Sequence, residues 1–164
     1  MSATVTLAPW GSDDFPLLEQ LMGDPRMTVH LGGPESPEKL RERQGRYERA
    51  EHALKIVNVE SGAGVGWVGF WTREWHDEQV YEGGWAVVPE FQGRGIAAAA
   101  TAQAIELAKR EGRHRFMHAF PIPENGPSNA ICRKLGFELL GPCEFEFPKG
   151  HFETCNDWRL DLSA

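Results

Sequence analysis

Pro89-Glu90-Phe91-Gln92-Gly93-Arg94-Gly95-Ile96-Ala97-Ala98 is the stretch that decides the reading of this chain. A run of strand-forming residues, Trp85-Ala86-Val87-Val88, comes just before it, and an alanine-rich helical stretch follows. The order is therefore strand, tight glycine turn, helix. Glycines let the backbone approach a ligand closely, and the first N–H groups of the helix have no partners within it. Those N–H groups and the helix dipole favour an anion, and a phosphate or pyrophosphate fits.

Two well-known phosphate loops fit poorly. A P-loop ends in Lys-Ser/Thr, which Ile96-Ala97 does not supply. The dinucleotide fingerprint G-x-G-x-x-G/A is met formally by Gly93, Gly95 and Ala98. That unit normally opens its domain, however, and here it begins past mid-chain. The acidic residue expected about 20 residues on is absent, since Gly112, Arg113 and His114 occupy that region.

A third pattern fits better. Gln92-Gly93-Arg94-Gly95-Ile96-Ala97 reads as Q/R-x-x-G-x-G/A. It resembles the pyrophosphate loop of the GNAT superfamily of acetyl-CoA-dependent N-acetyltransferases. Asn125 to Phe137 resembles that superfamily's late helix, N-x-x-S-x-x-(apolar)-x-x-K-x-G-F. Glu82-Gly83-Gly84-Trp85 resembles the start of the central strand in its RimJ/RimL-like branch. The region from Asp24-Pro25-Arg26 to Leu31-Gly32-Gly33-Pro34 is also similar to that branch.

The 164 residues suffice for one domain with a real core, and we expect a single domain over residues 1–164. The net charge of −7 disfavours non-specific nucleic-acid binding and mildly favours a cationic partner such as an amine; solubility alone also explains an acidic surface. Cys132, Cys143 and Cys155 are odd in number and show no C-x-x-C metal pattern, so we expect reduced thiols in a cytoplasmic protein and no metal. We find no signal-peptide pattern, and no apolar run approaches the length of a membrane span.

The remaining pattern predicts an α/β sandwich with a mixed, mostly antiparallel sheet and about four helices. The first strand covers Thr4 to Ala8, and Ser12 caps a helix that ends near Gly23. A Gly/Pro-rich loop runs to Gly33-Pro34, and Ser36-Pro37 starts a charged helix reaching about His52. Strands follow at Ala53–Val59, Val65–Thr72 and Gln79–Val88, with Glu74 to Glu78 as a hairpin tip. A helix from about Arg94 to Glu111 presents Ile96, Ala100, Ala104, Ile105 and Ala108 on one face. A strand at Arg115–Phe120, the Asn125 helix and two strands, Glu138–Phe147 and Phe152–Leu162, close the chain. The resemblance implies the same fold.

The resemblance also assigns roles. Acetyl-CoA is the implied co-substrate, and a primary amine, on a protein N-terminus or a small molecule, is the acceptor in direct transfer. The pyrophosphate would rest on the amides of Gln92, Gly93, Arg94, Gly95, Ile96 and Ala97. Trp85 and Val87 would offer backbone N–H groups, freed by a bulge, to the thioester and pantetheine arm. Asn125 would contact the pantetheine or adenosine side, or simply cap its helix. Many members carry a tyrosine acid four residues beyond the Ser128 position, where this chain has Cys132. Ser128, as in the RimJ/RimL-like branch, would instead donate to the leaving thiolate, or cap its helix.

Glu82 is the candidate base, directly or through water, because partial burial among Trp67, Trp71 and Trp85 would raise its pKa. An exposed strand-edge carboxylate is the alternative. His118 is a secondary candidate, and Cys132 reads as packing. The six tryptophans suggest an aromatic acceptor wall, though core packing explains most of them. A homodimer is compatible with the resemblance. A non-catalytic acyl-CoA-binding module is the competing function, supported only by the missing tyrosine.

Overall fold

Alternating and β-branched runs build seven strands in this computed structural model, which describes residues 4–146 and 149–164. In chain order they are β1 (Val5–Pro9), β2 (Ala53–Asn58), β3 (Gly64–Trp75), β4 (Glu78–Val87), β5 (Phe116–Ala119), β6 (Glu138–Glu146) and β7 (Phe152–Asp161). The helices are α1 (Phe15–Met22), α2 (Pro25–Thr28), α3 (Pro37–Arg49), α4 (Ile96–Glu111) and α5 (Gly126–Lys134). The strands form one mixed sheet in the order β1-β2-β3-β4-β5-β7-β6. Only β4 and β5 pair in parallel in the registers described, through Tyr81↔Met117 and Glu82↔His118. The α/β architecture expected from the pattern is thus present. The Phe147 end of the last expected hairpin lies outside the described residues.

Backbone contacts group the chain into two units, residues 1–69 with 85–103 and residues 70–84 with 104–164. In the first, Leu18, Leu21, Ile56, Val65 and Val68 are sealed from solvent. Trp10 meets Tyr47 edge-on at 5.4 Å, and Tyr47 stacks on Trp67 at 5.0 Å. The Trp10 indole donates to the Gln44 side chain at 2.8 Å, which satisfies its buried N–H. Gly66 lies where a side chain has no room: a Cβ there would stand 2.4 Å from the Ala86 carbonyl oxygen. The Ala86 carbonyl therefore leans over Gly66 near the end of β4.

In the second unit Tyr81, Met117 and Cys132 are fully buried, with Phe137, Cys155 and Trp158 close behind. β7 pairs with β5 on one side, Ala119 opposite Trp158, and with β6 on the other, Cys143 opposite Cys155.

Three local expectations change. Ser12 does not cap a helix. It begins a 3₁₀ turn, Ser12–Asp14, and the Asp14 carboxylate accepts from the Gly11 N–H at 2.8 Å, so the aspartate folds the entry to α1. The Gly/Pro-rich loop contains α2, because Asp24 caps Pro25–Thr28 by accepting from the Arg26 N–H. The hairpin tip shrinks to His76-Asp77, both at positive φ, which lets the strands on either side run further. Ser36 does cap α3, accepting from the Lys39 N–H.

Candidate active site

The glycine turn is built by its neighbours. Pro89 starts a 3₁₀ turn through Phe91, which ends the strand, and Gln92 returns to extended backbone. The Gln92 side-chain amide then donates 2.9 Å to the Val87 carbonyl, tying the turn to the strand that feeds it. Gly93 and Gly95 follow at φ 75° and 76°, a region that side chains disfavour. A Cβ at either position would meet nothing within 4 Å, so the backbone there borders open space. The first helical bond is from Ala99 N–H to the Gly95 carbonyl. The N–H groups of Gly93 through Ala98 have no backbone acceptor among the described residues. Six consecutive donors at the mouth of a 16-residue helix are the arrangement that holds an oxyanion.

Arg94 is exposed, donates to the Glu90 carbonyl at 3.1 Å, and lies over the Phe91 ring. The residues expected on the pyrophosphate are thus gathered on one turn of the first unit. Trp85 and Val87 occupy the end of β4 that leads into it.

The second unit carries the ionisable candidates. Glu82 lies within β4, its side chain 13% exposed, and pairs with Arg73 of β3 at 3.0 Å. Burial pushes its carboxyl above the ordinary value, while Arg73, the Trp71 indole and His118 pull it back. The net upward shift is the property a base needs near neutral pH. Arg73 is itself held by aromatic rings. Its guanidinium carbon lies 4.4 Å from the Phe145 ring centre and 5.5 Å from that of Trp75, and its Nε is buried without a partner. Opposite Glu82 on β5, His118 is buried and shares a 2.6 Å hydrogen bond, through Nδ1, with the buried Asp157.

Ser128 is half-buried in the first turn of α5. It is not the cap: the Asn125 side chain accepts from the Ser128 N–H at 3.2 Å. The Ser128 hydroxyl has no hydrogen bond among the described residues, and no hydrogen bond or ion pair joins Ser128 to Glu82. Its neighbour Asn129 anchors the helix. The Asn129 amide donates to the carbonyls of Ile122 and Asn125 and accepts from the Trp158 indole and the Asn156 amide. At Cys132, burial pushes the thiol up to about 12, so it stays protonated and serves packing.

Sequence reasoning missed Arg73, Asn129 and Asp157. Asp157 meets His118 across 39 positions of sequence, a pairing no local pattern reveals. Asn129 adjoins the recognised Asn125/Ser128 motif, and its burial was the missing signal.

The chain belongs to the GNAT acetyltransferase family, whose model, the acetyltransferase (GNAT) domain, matches residues 4–138. GNAT acetyltransferases use acetyl-CoA. An uncharacterised N-acetyltransferase of Bacillus subtilis is 32% identical over 81 residues, which are 49% of this chain and 45% of that protein. The match thus spans about half the length of that relative. An acetyltransferase structure from Bacillus anthracis matches 100% of this chain and 99% of its own, with a TM-score of 0.83 at 18% identity. The Vibrio cholerae spermidine N-acetyltransferase, solved with CoA and spermine, matches 97% and 96% with a TM-score of 0.78 at 16% identity. At these identities the structures establish the fold.

Proposed function

We propose that this protein is an acetyl-CoA-dependent N-acetyltransferase of the RimJ/RimL-like branch that moves the acetyl group directly to a primary amine. The observation that carries the proposal is the run of unpartnered N–H groups from Gly93 to Ala98, facing open space at Gly93 and Gly95. The turn takes the pyrophosphate, with Gln92 holding its shape through Val87 and Arg94 adding charge at its rim. Trp85 and Val87 offer backbone donors to the thioester and pantetheine arm. The Ala86 carbonyl leaning over Gly66 supports an irregular end of β4, as a strand that frees ladder donors requires.

In the second unit, Ser128 donates to the departing thiolate. Its hydroxyl is free for that task because Asn125 already caps the helix. Glu82 receives the proton of the attacking amine, directly or through water, and its raised pKa supports that role. The acceptor is a small cationic amine or a protein N-terminus. The net charge of −7 favours a cation, and the Vibrio cholerae protein of the same fold is a spermidine acetyltransferase. Residues 1–164 act as one catalytic domain. Cysteines without a disulfide suit a reducing cytoplasm.

Thiol release from acetyl-CoA against a panel of polyamines, amino acids and peptides tests the reading. Release that depends on one class of amine supports it and names the acceptor. Acetyl-CoA binding without release to any amine would favour a non-catalytic acyl-CoA-binding module, to which the Cys132 position also points.

A further inference from the structure

We propose that His118, held by Asp157 and Trp75, is the terminal proton acceptor of the transfer, taking through Glu82 or through water the proton that the amine loses. The inference rests on the transferase reading and adds a group to it.

Three observations carry it. First, Asp157 is a fixed, fully engaged carboxylate. One oxygen lies 2.6 Å from His118 Nδ1, and the other accepts from the Trp75 indole at 3.1 Å. Second, this contact sets the imidazole tautomer. With Nδ1 donating to the carboxylate, Nε2 carries the lone pair, and it has no hydrogen-bond partner among the described residues. The ring is kept from turning by Phe120, which stacks on it at 5.8 Å and 13° and in turn packs on Trp75 at 4.7 Å. Third, His118 lies directly opposite Glu82 in the parallel β4–β5 register, so the two groups are on adjacent strands at one level.

Glu82 is bound to Arg73, and its proton needs an onward path for the next turnover. The movement balances without any co-reactant: the ammonium loses one proton, and His118 gains it at Nε2. The resulting imidazolium is offset by Asp157. The charged and titratable groups on the surrounding strands are Arg73 on β3, Glu82 on β4, and Cys155, Asp157 and Arg159 on β7. Arg159 is diverted onto the Phe116 ring, at 4.6 Å. Asp157 and Trp75 are positioning residues here, since they act through the imidazole.

The test combines a tautomer measurement with kinetics. Imidazole ¹⁵N shifts of the wild-type protein should show Nδ1 protonated and Nε2 unprotonated in the neutral ring; the opposite tautomer overturns the proposal whether or not an acceptor is in hand. In the transfer assay, His118→Gln should lower kcat by roughly 10²-fold, the scale of a lost proton acceptor, while the acetyl-CoA Kd stays within about twofold, since the anion turn is untouched. Asp157→Asn should populate the opposite tautomer in the ¹⁵N shifts and lower kcat, because an amide can donate to Nδ1 where a carboxylate only accepts. Wild-type kcat in both variants would leave Glu82 as sole acceptor and sink the inference, with the transferase reading intact. Absence of acetyl-CoA binding by the wild type would remove both. Asp157→Glu, with the carboxylate kept, checks folding: it should restore the wild-type tautomer and kcat if Asp157 acts by positioning the imidazole.

Discussion

The Gln92 side-chain amide reaches back 2.9 Å to the Val87 carbonyl, joining the anion turn to the strand whose end it follows. This one bond sets how the Gly93 to Ala98 donors are presented. Gln92 is exposed, so Gln92→Ala should lower stability by only about 0.5–1 kcal/mol. Affinity for acetyl-CoA should fall more, roughly tenfold or about 1.4 kcal/mol. Thermal melts beside calorimetric titrations separate the two effects, and equal losses in both would contradict a presenting role.

Ser128 should behave differently. Its hydroxyl holds nothing together, since Asn125 caps the helix. Ser128→Ala should leave Tm and acetyl-CoA affinity near wild type and lower kcat by roughly tenfold, about 1.4 kcal/mol of transition-state stabilisation. An unchanged kcat removes Ser128 from the chemistry.

Asn129 is the structural counterpart beside it. Four hydrogen bonds converge on one buried amide, and Asn129→Ala would remove the acceptor shared by the Trp158 indole and the Asn156 amide and one of the donors to each of the Ile122 and Asn125 carbonyls. We expect a loss of about 3 kcal/mol, read from denaturant midpoints at constant slope. A loss below about 1 kcal/mol, the scale of an ordinary point substitution, would mean that α5 is held elsewhere.

Glu82 links the site to stability. Burial raises its folded pKa above the ordinary 4.5. The folded protein then binds this proton more readily than the unfolded chain, so the contribution of Glu82 is fully present below the unfolded value. It is lost as pH rises through the folded one. Tm measured from about pH 4 to about pH 7 should fall in the wild type relative to Glu82→Gln as pH increases across that window. A wild-type Tm that rises relative to Glu82→Gln across the same window would show that the Arg73 ion pair outweighs burial.

What the sequence revealed, and what it hid, follows from the range of the interactions. The glycine turn, the Ser36-Pro37 cap and the alanine face of α4 are local signals, and each is legible in a few adjacent residues. Glu82 and Ser128 were singled out by resemblance to family motifs. Ser12 misled because the chain first makes a 3₁₀ turn over Ser12–Asp14, braced by the Asp14 carboxylate on the Gly11 N–H, and α1 begins only after it. The two-residue tip at His76-Asp77 was hidden because non-glycine residues took positive φ there. Asp157 and Trp75 were invisible, since each acquires its partner only when strands far apart in sequence become neighbours, whereas Arg73 meets Glu82 across a single hairpin and a lone arginine in a strand gave no signal.

The most direct measurement is calorimetric titration of the wild-type protein and of Gly95→Glu with acetyl-CoA. Gly95 sits at φ 76° with open space before it, so the variant places a strained backbone and a carboxylate at the proposed pyrophosphate site. The account predicts one binding site per chain in the wild type and none in a folded Gly95→Glu. Equal binding by both proteins, or none by the wild type, would contradict it.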